Sequence, residues 1–244
     1  MLSQRDHRRE VFGAQAAELL DRGEVRRLAD DGSAAFAPEL PERLTRLGAE
    51  PVADLLRRRR SVRDYADRPV RRDHLAEICA SGSQASTVLA TAPGRLTASA
   101  HWLVFARRVD GLQPGVHSYD ASGDFSLVAD PPDDRSWARA VQPEFVDAPC
   151  LLLPVWELES ALRERGTDGY FNLLLATGSS LYVSWLTALD LGLSGCLLRD
   201  LHPALLSATV ALGGVDARPF LTLALGHPRE PVDTTDSGQA GDPS

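Results

Sequence analysis

The chain contains no lysine: all 26 of its cationic side chains are arginine. Chemistry that needs a primary amine is therefore excluded, including a Schiff base, a pyridoxal phosphate anchor and a phosphate-loop lysine. Asparagine, isoleucine and methionine occur once each, as Asn172, Ile78 and Met1, a bias that reads as the history of a GC-rich genome and not as function. Cys79, Cys150 and Cys196 are the only cysteines, odd in number and far apart. This pattern argues against a disulfide framework or a zinc ribbon and for a reducing cytoplasm. The six histidines show no HExxH or i,i+4 pairing, so no metal site is expected. Glycines in GxGxxG spacing are missing, and Gly192-Leu193-Ser194-Gly195 is no GxSxG elbow because its second glycine comes one residue early. The opening MLSQRDHRREVF lacks the apolar core of a signal peptide.

The 244 residues that remain to be explained are 43% apolar, enough to build a core in one large or two small domains. A net charge of −8 argues against nucleic acid as the main partner. Tyr170 to Leu189 is a run of twenty residues without a charge, long enough to cross a bilayer. It carries Asn172, Thr177, Ser179, Ser180, Ser184 and Thr187, and no basic cluster flanks it to set an orientation. A buried helix in a globular or dimeric core, with no membrane partner, is the better reading.

Along the chain, residues 8 to 29 read as an amphipathic helix or helix pair, followed by a loop and a short helix around 52 to 58. Pro69 and the sequence after it predict a helix over about 71 to 81, with Leu75, Ile78 and Cys79 inward and Gly82 as its stop. HWLVFARRV, GVHSY and DFSLVA then predict three short antiparallel strands in a meander. PPDDRSWARAV reads as a helix, and CLLLPVWEL as a strand buried on both faces because nothing from Leu151 to Trp156 alternates. After the uncharged helix come a short strand, LSGCLL, a helix in HPALLSATVAL and a last buried strand, PFLTLALG. The class is α+β, with an N-terminal helical extension over 1–50, one domain over 51–229 and a flexible acidic tail over 230–244.

Eight arginines fall between residues 57 and 72: Arg57, Arg58, Arg59, Arg60, Arg63, Arg68, Arg71 and Arg72. In an acidic protein such a cluster serves a phosphate ligand, an acidic partner surface, or a solvated helix end balanced by Asp64, Asp67 and Asp73. The order of residues adds to this. RRRRSVRDYADRPV resembles the RRSxRxF string that opens members of the FMN-dependent nitroreductase superfamily. RRVDGLQPGVHSYD, NLLLATGSSLYVSWLTALDLGLSGCLL and RPFLTLALGHP resemble passages of its SagB-type branch, whose members oxidise thiazolines and oxazolines to azoles in modified peptides. Together these runs cover most of residues 55 to 229.

The resemblance implies a nitroreductase-like fold, an antiparallel-containing central sheet flanked by helices, with FMN at a homodimer interface. It implies contacts to the flavin's phosphate, ribityl chain and pyrimidine edge from Arg59, Ser61 and Arg63, with Arg60 beside them. The backbone of Leu198, Arg199 and Asp200 would lie near the flavin N5 side, and Arg229 would reach the phosphate or else be an exposed tail residue. The branch's Lys-Tyr pair is missing, since Ala161 and Leu162 stand in those places, and the run that lines the flavin is compressed to TASAHWLVF, with Thr97, Ser99 and His101. Azoline oxidation needs a base while hydride leaves the neighbouring carbon. Tyr170, Asp168 and His101 are the titratable candidates, each with a structural alternative as packing, cap or strand-start residue. The implied function is an FMN-dependent dehydrogenase or oxidase acting on a modified ribosomal peptide, alongside a cyclodehydratase. The rivals are a non-catalytic scaffold subunit, a general NAD(P)H-dependent nitro- or quinone reductase, and a flavin oxidase of small molecules.

Overall fold

The computed structural model describes residues 49–91, 100–120, 122–199, 201 and 217–229. The helices expected within 8–29 and 202–212, the acidic tail, and Thr97, Ser99 and Asp200 lie outside the described residues.

The first described element, α1 (Ala49–Arg58), runs straight into the arginines. Leu55 is its buried anchor, packed with Leu186 and its neighbours Tyr182, Val183 and Leu189. The expected meander forms from β2 (His101–Ala106), β4 (Gly115–Tyr119) and β5 (Phe125–Ala129), all antiparallel, with Phe105 opposite Val116 and Tyr119 opposite Phe125. Two-residue strands β1 (Val70–Arg71) and β3 (Val109–Asp110) form a separate parallel pair. On the far side of β2 lies β6 (Cys150–Glu157), then β9 (Thr222–Gly226), then β7 (Ser194–Leu198) at the edge, giving the order β5-β4-β2-β6-β9-β7. Short β8 (Ala217–Pro219) pairs with the other end of β6, so β8 and β9 together follow one strand.

Both faces of this sheet are covered, which explains why β2 and β6 lack polar alternation despite antiparallel pairing. Trp102, Val104, Cys150, Leu152, Leu223 and Leu225 face one cluster with Leu75, Ile78, Leu181 and Trp185. Leu103, Phe105, Leu151, Leu153, Cys196 and Ala224 face another with Tyr65, Trp137 and Phe145. Trp137 belongs to α3 (Asp134–Ala140), which Asp133 caps by accepting from the Ser136 N–H at 2.9 Å, and Phe145 to the one-turn helix Pro143–Phe145.

Two helices differ from expectation. α2 (Arg72–Thr91) does not stop at Gly82 but runs through it. Gly82 instead marks contact with α4 (Leu158–Asp190), because a Cβ there would stand 2.5 Å from the Trp102 ring and collide with the Ser184 hydroxyl. Ser184 donates to the Ile78 carbonyl at 3.0 Å across the same contact. α4 starts twelve residues before the uncharged run and kinks at Gly166, whose φ of 56° and ψ of −136° interrupt the helix. Its uncharged part is buried on one side only, for Phe171 and Leu175 remain 52% and 57% exposed. No helix among the described residues is long and apolar enough to cross a membrane.

Candidate functional site

The arginine-rich segment after α1 is laid along the open edge of β7. Ser61 forms a parallel bridge with Gly195, and the Val62 N–H donates to the Gly195 carbonyl at 3.1 Å. Further on, Tyr65 bridges Pro228, the Ala66 N–H donates to the His227 carbonyl at 2.9 Å, and the Arg229 N–H donates to the Asp64 carbonyl at 3.2 Å. The loop is thus pinned to β7 at one end and to the chain leaving β9 at the other.

Two local features make this seat. Tyr65 is 1% exposed, and its hydroxyl donates back to the Val62 carbonyl at 2.8 Å, closing the loop on itself. Burial, with Cys196 and Cys150 nearby, pushes its pKa well above the ordinary phenol value, so it stays a neutral donor. At Gly195 a Cβ would come 2.7 Å from the Ala224 carbonyl oxygen, so only glycine lets β7 and β9 approach this closely beside the loop.

Most arginines nearby are neutralised. Arg58 pairs with Asp54 at 2.6 Å, Arg71 with Asp73, Arg72 with Asp124 at 3.5 Å and Arg108 with Asp67 at 3.2 Å. Within the loop itself the pattern changes. Arg59, Arg60 and Arg63 take no carboxylate partner among the described residues. Arg60 donates to the carbonyls of Arg57 and Arg59 at 2.7 and 3.0 Å, and Arg59 lies over the ring of Trp185, its Cζ 4.7 Å from the centroid. A hydroxyl at Ser61 and three guanidiniums with no competing carboxylate suit a phosphate dianion and carbonyl acceptors, the groups FMN presents.

Arg229 is brought to this loop as well. Its Nε lies 3.2 Å from an Asp64 carboxylate oxygen and its Nη2 donates to the Tyr65 carbonyl at 3.2 Å. It clips the chain after β9 to the loop. Leu198 ends β7 with its side chain in the core, and Arg199 follows it at the surface. Of the three candidate bases, Asp168, Tyr170 and His101, none makes a side-chain hydrogen bond or ion pair among the described residues. His101 is exposed at the start of β2, Asp168 is exposed after the Gly166 kink, and Tyr170 meets Phe220 and Phe171 edge-on at 5.6 and 6.0 Å.

Sequence reasoning missed Trp185, which is distant in sequence from Arg59 and sits in a run read only as buried helix. It also missed the clipping roles of Asp64, Tyr65 and His227; the aromatic that follows the last arginine of the string was a signal for Tyr65. Among the described residues no cluster of His, Cys, Asp and Glu could hold a metal ion, and all three cysteines are buried free thiols.

The Nitroreductase family matches residues 56–227, well over half of the chain, and the chain belongs to that family. In solved structures the same fold recurs at low identity. A protein assigned to the nitroreductases from Anabaena variabilis superposes with a TM-score of 0.62 at 18% identity, over 73% of this chain but only 38% of its own. One from Desulfovibrio desulfuricans, solved in complex with FMN, gives 0.50 at 22% identity over 76% of this chain and 94% of its own. The E. coli microcin synthetase McbBCD, in complex with truncated pro-MccB17, gives 0.57 at 15% identity over 84% and 81%. No curated protein matches the chain in sequence.

Proposed function

We propose that this nitroreductase-family protein binds FMN through Arg59, Arg60, Ser61 and Arg63 and dehydrogenates an azoline ring of a modified ribosomal peptide. The observation that carries the reading is the carboxylate-free guanidinium loop seated on β7, beside the paired arginines Arg58, Arg72 and Arg108. Family membership supports FMN, and the FMN complex of the D. desulfuricans neighbour agrees with it. The peptide substrate rests on the sequence resemblance to the SagB-type branch, and the microcin synthetase neighbour, a complex holding a peptide precursor, is consistent with it.

Bound FMN would supply hydride acceptance. The chain's own part is to hold and orient: the free guanidiniums fix the phosphate, Ser61 on the β7 edge takes an acceptor of the flavin, and the Arg229–Asp64 clip keeps the loop in register. A base must also take a proton from the substrate ring. Asp168 and His101 are solvent-exposed and have no side-chain partner among the described residues, so either is proposed for that part. A second copy of the chain completing the site, and a partner cyclodehydratase, belong to the same proposal.

One observation favours a second reading, a non-catalytic partner subunit. Ala161, which stands where the branch carries the first member of its Lys-Tyr pair, is fully buried, and its carbonyl abuts Gly169 across the α4 kink. That position is devoted to packing. The visible spectrum of the purified protein, with identification of released flavin and then incubation with an azoline peptide under air, separates these readings. Bound FMN and loss of two hydrogens from the peptide support the dehydrogenase. Inert flavin supports the subunit, bleaching by NADPH supports a general reductase, and a protein that takes up no FMN overturns the flavin reading.

A further inference from the structure

Three arginines among the described residues lie over aromatic rings: Arg72 over Phe125, Arg107 over Trp137 and Arg59 over Trp185. The first two also reach carboxylates, Asp124 and Asp134, each at 3.5 Å. Arg59 does not, so its charge is held in place by a ring face alone and stays available to an external anion.

The ring beneath it is unusually well braced. Trp185 is 4% exposed, its indole packs within the core of β2, β6 and α4, and Tyr182 meets it edge-on at 6.3 Å and 83°. Among the described residues its Nε1, like that of Trp102, is buried without an acceptor, whereas Trp137 and Trp156 donate to the Val146 carbonyl and the Thr177 hydroxyl at 2.9 and 2.8 Å. A phenylalanine would fill much of this space without the unmet N–H, whose burial is unfavourable. What tryptophan supplies and phenylalanine does not is the strongest ring quadrupole for a cation.

We propose that Trp185 is a positioning residue for the anion site: its indole face holds the Arg59 guanidinium at the mouth of the loop, so the fork is ordered before the FMN phosphate arrives. The inference rests on the reading of residues 59–63 as the FMN site and adds a residue from α4 to it. An arginine in water loses rotamer freedom when it grips a ligand; one already stacked on a fixed ring has lost most of it. Because a guanidinium stacked on a ring keeps its in-plane N–H groups free, the stacking does not compete with the phosphate.

The test is a double-mutant cycle on the full chain, reading dissociation constants for FMN and for riboflavin, which lacks the phosphate. Trp185→Leu is expected to weaken FMN about tenfold and Trp185→Phe about threefold, the span of a partly desolvated cation–π contact. In an Arg59→Ala background the same changes should have little further effect, and riboflavin affinity should respond equally little in both backgrounds. A merely structural Trp185 would lower FMN affinity by the same factor with or without Arg59, and that result overturns the proposal. If Trp185→Leu fails to fold, by its melting curve, the cycle with Trp185→Phe and Trp185→Tyr decides on the same criterion. Wild-type protein that binds riboflavin as tightly as FMN overturns the phosphate reading and this inference with it. Phosphate-dependent binding that needs Arg59 but ignores Trp185 overturns this inference alone.

Discussion

A guanidinium already facing a carboxylate makes a poor receptor for a second anion, because the new partner must displace the first. This separates arginines that are close in sequence. Arg58, held by Asp54 at 2.6 Å, should matter little to flavin, while Arg63, with no hydrogen bond or ion pair among the described residues, should matter much. Arg63→Ala is expected to weaken FMN by about 10- to 100-fold, the worth of a charged hydrogen bond, and Arg58→Ala by less than about threefold. Isothermal titration of both variants checks this, and equal losses would reject the division of roles. His227 offers a pH test of the seat itself. Burial first, then Arg68, hold its pKa below the ordinary 6.5, so the folded protein prefers the neutral ring. Between that depressed folded value and 6.5 the unfolded chain binds more protons. The stability His227 contributes is therefore complete above 6.5, falls as the pH drops through that window, and falls no further below it. Melting temperature followed downward from about pH 8 should show this loss, and His227→Gln should flatten it; an unchanged slope would place the titration elsewhere.

Elements explain what could be read in advance. The meander and the two-face burial of β6 were legible because apolar runs bounded by DGLQPG and DASG turns leave few alternatives. The arginine loop was legible as a string, and its seat on β7 follows from Ser61 and Gly195 being brought side by side. Glycines inside helices were not legible, since the same residue passes through one helix and bends another according to its surroundings. Gly82 passes through because Ser184 and Trp102 crowd its Cα; Gly166 bends because its backbone takes φ 56° and ψ −136°. Asp168 and Tyr170 stand near the place of the missing pair in sequence, and position along a kinked helix does not fix which side chains reach a ligand at β7. Two substitutions follow. At Gly166 no neighbour lies within 4 Å of a new Cβ, so Gly166→Ala acts through the backbone alone and should cost about 1–3 kcal/mol in a denaturant melt. At Gly195 the obstacle is the Ala224 carbonyl, 2.7 Å from the new Cβ, so Gly195→Ala must push β7 from β9 and carry Ser61 with it. It should therefore lower both stability and FMN affinity, whereas Gly166→Ala should leave affinity within about twofold. Loss of affinity in both variants would mean that the kink, and not only the strand edge, shapes the flavin site.

In the molecule as a whole, one side of α4 presents an exposed apolar surface among the described residues. Phe171 and Leu175 are one helical turn apart and more than half exposed, on a helix whose other side is packed with Leu173, Ala176, Ser180 and Ser184. A side chain of this kind is favoured by about 1.5–3 kcal/mol when buried. A second copy of the chain is the occupant expected from the family resemblance, and a two-fold contact would bury each residue twice. Leu175→Asp places a charge in that contact in both protomers, where it has no counter-ion. Sedimentation velocity should then show the wild-type chain as a dimer and Leu175→Asp as a monomer with an unaltered far-ultraviolet spectrum. Flavin retention gives the second half of the argument. If the partner contributes to the site, the monomer should also lose FMN, although Arg59, Ser61 and Arg63 are untouched and lie on another part of the chain. A monomer that keeps FMN at full affinity would confine the flavin site to one protomer, held by the β7 loop alone. A variant that stays dimeric would move the interface off this face of α4, and the next surface to test would be edge strand β5, where Leu127 and Val128 are 44% and 45% exposed.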